Sequence, residues 1–83
     1  MAKREKRRTP FPRRERLITI QSGRRLVMEA AEAIVFCDPE RIVLRGGGFL
    51  EIRGDGLCLL ELGNDNMAVE GRIRSVVFSE REP

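Results

Sequence analysis

The chain has 83 residues, 41% of them hydrophobic and 35% charged, with a net charge of +3 and no histidine. This length allows one domain at most, and a domain this small buries only about 60% of its unfolded surface, so its stability is marginal without help. The lack of histidine excludes Ser-His and Cys-His nucleophiles and removes the usual nitrogen ligand of zinc.

The first sixteen residues form a basic arm with a charge balance of +6, whereas residues 17–83 have a balance of −3. Blocks of like charge stay extended and often act as contact tails, and Pro10 and Pro12 disfavour a helix. We expect residues 1–16 to be disordered and to contact an anionic surface, although a merely solubilising tail is the simpler interpretation. The candidate contact residues are Lys3, Arg4, Lys6, Arg7, Arg8, Arg13, Arg14 and Arg16.

The next twenty residues contain one weak strand pattern and one ambiguous segment. Residues 17–20 alternate and predict a first edge strand that ends at Ser22 and Gly23. Within residues 26–36, the alanines and glutamates favour a helix intrinsically. Two short strands at residues 25–29 and 33–37, joined by an Ala-Ala-Glu turn, fit the same segment.

Residues 38–53 predict a turn followed by a hairpin. Asp38-Pro39 has turn chemistry, because the aspartate can bond the following backbone and proline presets φ. The segment after it alternates until three consecutive glycines, which tolerate the positive φ of a tight hairpin turn. The predicted core residues of the two strands are Ile42, Leu44, Leu50 and Ile52.

Later glycines predict further turns. Gly54-Asp55-Gly56 is the strongest hairpin signal, since an Asp-Gly pair between apolar runs is typical of a tight turn. Residues 57–62 are apolar on both faces and predict a central strand, and residues 63–66 predict another turn. Gly71 predicts a bulge that breaks the period of two in the last strand. The predicted turn and bulge residues are Gly46, Gly47, Gly48, Gly54, Asp55, Gly56 and Gly71.

These segments predict an all-β fold. Short strands of five to seven residues with closely spaced turns are typical of a small antiparallel sheet, rolled or sandwiched, with about six to seven short strands. We expect a single domain over residues 17–79 and a flexible C-terminus at residues 80–83. Because aromatic residues are scarce, we expect a protein partner or self-association to complete the thin core.

No pattern of residues indicates an enzyme or a cofactor site. The glycines lack the Gly-Lys-Ser/Thr of a phosphate-binding loop, and Glu51 with Asp55 is better interpreted as solvated surface than as a catalytic pair. Cys37 and Cys58 stand apart without a CxxC motif, which predicts buried thiols in a reducing compartment rather than a disulfide or metal site. We expect no cofactor, and we expect a cytoplasmic protein because neither a signal peptide nor a membrane span is evident.

The order of several motifs resembles the YabP/YqfC family of sporulation proteins, and the YqfC branch in particular. They are VEGRIRSVVF at residues 69–78, the preceding LEIRGDGLCLLEL at 50–62, LITI at 17–20 and Asp-Pro-Glu at 38–40. The resemblance covers residues 17–78. This chain departs from the family at Ala30, Ala33 and Cys37, where the family commonly has an asparagine, a glycine-led strand and an aromatic residue.

The resemblance implies both structure and role. It implies that residues 26–37 form two strands, and we follow it against local propensity because tertiary context often overrides that preference. It further implies a non-enzymatic protein of endospore formation in Gram-positive bacteria, made in the mother cell. The expected role is assembly or scaffolding at the forespore surface or spore envelope, with the basic arm on an anionic membrane.

The alternative is a nucleic-acid-associated small β-roll that binds through its basic arm. The negative balance of residues 17–83 and the shortage of aromatic residues disfavour it, because single-strand binding relies on exposed rings for stacking.

Overall fold

The computed structural model describes residues 18–83, and the basic arm predicted at residues 1–16 lies outside this range. Within it the regular elements are six strands and no helix, so the predicted all-β fold is confirmed. The strands form one antiparallel sheet in the order β1-β2-β6-β5-β4-β3. They are β1 (Ile18–Gln21), β2 (Arg25–Met28), β3 (Ala33–Asp38), β4 (Arg41–Arg45), β5 (Phe49–Gly63) and β6 (Asn66–Ser79).

The ambiguous segment forms two strands, β2 and β3, as the resemblance implied. Burial explains why strand prevails over the helical preference. Leu26 and Met28 lie opposite Val69 and Met67 of β6, and both are fully buried. In the connection to β3, Ala30 has a φ of 58°, a left-handed conformation that interrupts any helix.

The turn predicted at Gly54-Asp55-Gly56 is wrong, because β5 continues through these residues to Gly63. They form a bend within the strand. The pairing with β6 shifts between Asp55, opposite Arg72, and Cys58, opposite Glu70, so β5 contains an extra residue there. At Gly54 a Cβ atom would lie 2.0 Å from the carbonyl oxygen of Arg72. Glycine is therefore required here because the two bent strands approach each other closely, and not because the chain reverses direction.

The bend folds the sheet over into two layers. The amide of Ala31 donates to the carbonyl oxygen of Asp65, and the amide of Glu32 donates to the carbonyl oxygen of Arg45, both at 2.7 Å. Asp65 follows the end of β5, whereas Arg45 pairs with Phe49 at its start. The two ends of a 15-residue strand are thus next to one another. The first layer contains β3, β4 and residues 49–53 and 74–79; the second contains β1, β2 and residues 58–63 and 66–70.

The hydrophobic core lies between the two layers. Its buried residues come from both, and they form one cluster: Leu26, Met28, Ala31, Ile42, Leu44, Leu50, Ile52, Leu57 and Val69. This confirms the four core positions predicted in β4 and β5. No polar or charged residue within residues 18–83 is buried, so the core gives no sign of a reactive interior group.

Two further strand predictions are corrected by the pairing. Residues 58–63 pair only with β6 and lie at an edge of the second layer, so they are not a central strand. The irregular spacing in β6 arises at Arg74, because Arg53 pairs with Ser75 while the next residue, Gly54, pairs with Ile73. Arg74 is therefore the bulged residue that returns Val76 to the core face, whereas Gly71 has a φ of 135° and lies against the bend in β5.

Candidate interaction surface

The outer face of the first layer carries an ion-paired group built from neighbouring strands. Glu51 accepts from Nε of Arg41 at 2.5 Å and from Nη2 of Arg53 at 3.2 Å. The hydrogen bond from Arg41 holds the pKa of Glu51 below its ordinary value, against a partial desolvation that acts in the opposite direction. The guanidinium carbon of Arg41 also lies 5.1 Å from the centre of the Phe36 ring, within the range of cation–π attraction.

A second ion pair crosses the bend. Arg74 donates to both carboxylate oxygens of Asp55, from Nε at 2.9 Å and from Nη2 at 3.1 Å. This two-point contact lowers the pKa of Asp55 and raises that of Arg74. The pair lines a shallow open groove of about 320 Å³, and its members neutralise each other rather than leaving a free acid or base. Glu51 and Asp55 are thus surface carboxylates that belong to separate ion-paired groups, Glu51 with Arg41 and Arg53 and Asp55 with Arg74.

The folded body offers little unpaired positive charge. Of its eight arginines, five form salt bridges with carboxylates within residues 18–83. They are Arg25 with Glu70, Arg41 and Arg53 with Glu51, Arg45 with Glu32, and Arg74 with Asp55. Most arginines in the described part of the chain are therefore neutralised by carboxylates, which disfavours binding to a phosphate backbone.

The predicted site residues fall into three groups. The eight basic contact residues of the arm lie outside the described range. Gly46, Gly47 and Gly48 form the connection between β4 and β5. Gly54, Asp55, Gly56 and Gly71 come together at the bend, where they had been predicted to act in a turn and a separate bulge.

The prediction that the two cysteines are buried is wrong. Cys37 and Cys58 are both free thiols and both exposed, in β3 and at the free side of β5. No cluster of three or more histidine, cysteine or carboxylate side chains within residues 18–83 could hold a metal ion.

The sheet has four strand segments with one unpaired side. Within the described chain, β1 pairs only with β2 and β3 pairs only with β4. Residues 58–63 pair only with β6, and residues 74–79 pair only with β5. Folding the sheet over does not close it, so each layer keeps two free edges at which backbone donors and acceptors face outward.

The exposed large hydrophobic side chains all lie on these edge segments. They are Ile20 in β1, Ile34 and Phe36 in β3, Leu60 and Leu62 in β5, and Val77 and Phe78 in β6. Each is between 37% and 52% exposed. Single exposed apolar residues are ordinary, but their restriction to unpaired strand edges combines backbone hydrogen-bonding capacity with apolar contacts. The four edges are therefore the candidate interaction surface.

The sequence pattern did not indicate which strands form this surface. Consecutive apolar residues at Val76, Val77 and Phe78 were available as a signal, because a strand with one buried face should alternate. Their exposure depends on which strands remain without neighbours, and that follows from the pairing order.

Within residues 18–83 the chain contains no helix of the length and apolarity that a membrane crossing requires. A family model described as the YabP family matches residues 12–83, which include every strand of the sheet. The resemblance carried by the motifs between residues 17 and 78 is thereby confirmed. The comparison with curated proteins and the comparison with solved structures each gave no significant match.

Proposed function

Because this chain belongs to the YabP family, we propose that it acts in endospore formation as a non-enzymatic assembly protein at the developing spore envelope. Membership associates the chain with sporulation, and the YabP family is not a known enzyme family. To this we add three parts of the proposal. The protein assembles at the envelope, it acts in the mother-cell cytoplasm, and it docks at the forespore surface.

The observation that carries the assembly role is the position of the exposed apolar side chains. All seven lie on strand edges with unpaired backbone groups. Natural proteins usually blunt such edges, and an exposed edge supports recognition by addition of a further strand, in which main-chain hydrogen bonds give affinity and side chains give specificity. An enzyme would need a pocket with converging polar groups, whereas this surface favours protein contacts.

Charge distribution supports a separate docking role for the arm. Residues 1–16 carry a balance of +6, while the body carries −3 and pairs most of its arginines internally. Clusters of basic residues bind anionic leaflets with about 1 kcal/mol per residue near the surface. The arm would hold the body at an anionic forespore membrane while the strand edges contact protein.

The role is tested in the native host by deletion and by imaging of a fluorescent fusion. We expect the deletion strain to form fewer heat-resistant spores, and we expect the fusion to surround the forespore during its development. A deletion strain that sporulates normally, with the fusion diffuse throughout development, would rule out the envelope role.

The arm is tested with a fusion in which its eight basic residues are replaced by glutamine. We expect this variant to leave the forespore surface and the purified protein to lose binding to vesicles containing anionic lipid. The matched control replaces Glu5 and Glu15 by glutamine, which keeps the arm's composition similar while raising its positive charge. Forespore localisation that survives removal of the basic residues would contradict membrane docking, and a nucleoid distribution would favour the nucleic-acid alternative.

A further inference from the structure

The four free edges of the sheet differ in how well they are protected against pairing. β1 has four residues, and short edge strands are one natural safeguard. In β3 the register shifts between Ile34 and Phe36, and the edge at residues 58–63 contains Glu61 and a second irregularity before Gly63. Bulges and charges are the other common safeguards.

Residues 75–79 of β6, which follow the charged and bulged Arg74, contain none of these safeguards themselves. Residues 75–79 read Ser-Val-Val-Phe-Ser, without a charge or proline. They pair with residues 49–53 of β5 in an uninterrupted register. Val77 and Phe78 are each 52% exposed, the highest values among the large apolar side chains of the described chain. This edge is therefore regular, apolar and open to another strand.

Charge at the two ends of this edge distinguishes between possible occupants. Arg72 and Arg74 precede the uncharged segment, and Glu80, Arg81 and Glu82 follow it. Since Asp55 pairs with Arg74, the first end is net positive through Arg72, and the other end is net negative. An antiparallel copy of the same segment would bring each positive end beside the other copy's negative end, whereas a parallel copy would bring like charges together.

We propose that two copies of this chain pair through the free edge of β6, antiparallel to each other, about a two-fold axis at Val77. In this register Val77 faces itself, Val76 faces Phe78 of the second copy, and Arg74 faces the second copy's Glu80. The interface is isologous, as closed dimers require. The pairing goes beyond the proposed function, because it is a property of the isolated chain in solution.

The pairing also extends the hydrophobic core. Leu50 lies beside Phe78 on the core face of the first layer, and Ile52 lies beside Val76. Placing Phe78 of one copy opposite Val76 of the other joins these two rows across the axis. On the outer face, the Val77 side chains of the two copies cover each other. The first layers of the two copies then form one eight-stranded sheet, and the most exposed apolar residues of each chain are covered.

Sedimentation of the full chain from micromolar to millimolar concentration tests the pairing. We expect a monomer–dimer equilibrium in the wild type. In Val77→Lys we expect dimer dissociation to rise by at least about tenfold, because two like charges would meet at the axis. The matched control is Leu62→Lys, which places the same charge on a similarly exposed residue of another edge and should leave the equilibrium unchanged. A wild type that stays monomeric, or a control that loses the dimer equally, would overturn the proposal.

Crosslinking tests the register without destabilising the fold. In a background with Cys37 and Cys58 replaced by serine, Val77→Cys should form an intermolecular disulfide on mild oxidation, because directly opposite residues have suitably spaced Cα atoms. Ser75→Cys should not form one, because the two copies of residue 75 would lie four residues apart along the paired strands, a separation of about 14 Å. Equal crosslinking of both variants, or none of Val77→Cys, would contradict the two-fold axis. Normal sporulation in the deletion strain would remove the envelope role while leaving this result in place.

Discussion

Gly54 and Gly56 are two residues apart in β5, yet each is needed for a different physical reason. At Gly54 the obstacle is space, because a Cβ atom would lie 2.0 Å from a backbone oxygen of Arg72. At Gly56 nothing lies within 4 Å of such an atom, but φ is +62°, a conformation that costs an L-residue about 1–2 kcal/mol. The Asp-Gly pair in the sequence correctly indicated an unusual backbone conformation at this point. The chain bends there, but it does not reverse direction.

Alanine substitution separates these two causes. We expect Gly54→Ala to lower the free energy of unfolding by at least about 3 kcal/mol, since backbone atoms must move apart at the bend. Gly56→Ala should lower it by only about 1–2 kcal/mol. Urea denaturation of both variants measures the difference, and equal losses would show that the close approach at Gly54 does not constrain the fold.

The ion pair between Asp55 and Arg74 predicts a pH dependence of stability. Because the hydrogen bond from Arg74 lowers the pKa of Asp55 in the folded state, the unfolded chain binds the proton more tightly. The stabilisation is therefore present above the ordinary carboxyl pKa and is lost as the pH falls through the folded-state value.

Replacing Asp55 by asparagine should make the urea midpoint fall less steeply as the pH is lowered from neutral to below 3. The matched control is Glu61→Gln, since Glu61 forms no ion pair within residues 18–83. It should keep the wild-type slope. An asparagine variant with the same acid sensitivity as the wild type would mean that the Asp55–Arg74 contact is too exposed to affect folding.

At the scale of elements, β5 combines a buried and an exposed half. Residues 49–53 have β4 on one side and β6 on the other, while residues 58–63 have β6 alone. The second half was predicted to be a central strand because residues 57–62 are apolar on both faces. The burial of a strand depends on how many strands lie beside it, and a sequence pattern does not indicate that number.

Two substitutions in β5 should show this contrast. Ile52 is fully buried between the layers, so Ile52→Ala should cost about 2–5 kcal/mol of unfolding free energy. Leu62 is 46% exposed, and Leu62→Ala should cost less than about 1 kcal/mol. Chemical denaturation at an unchanged slope measures both, and similar losses would contradict the assignment of residues 58–63 to an edge.

The segment from β2 to β3 shows where composition misleads. Its alanines and glutamates favour a helix, but Leu26 and Met28 complete the core against β6 as a strand. The family resemblance identified the strands correctly because it carries information about tertiary context. Local propensity alone would have given a helix in a protein whose described residues contain none.

For the whole molecule, the fold class and core residues were predictable, whereas the assignment of strand segments to the two layers was not. Alternation located Ile42, Leu44, Leu50 and Ile52 in the core. The folding over of the sheet depends on hydrogen bonds between distant residues, such as Ala31 with Asp65, and no short pattern reports these. The interaction surface shares this dependence, because its edges exist only once the pairing order is fixed.

The central position of β6 has a consequence for biosynthesis. β2 is held between β1 and β6, and the whole length of β5 lies against β6, yet β6 comes after the other five strands of the sheet in the chain. Until the ribosome releases residues 66–79, the second layer lacks the strand between β2 and residues 58–63 of β5, and the first layer lacks its outermost segment, residues 74–79. The sheet therefore cannot form before β6 has left the ribosome, so the yield of the protein in the cell should depend strongly on chaperones that shield the chain during that interval.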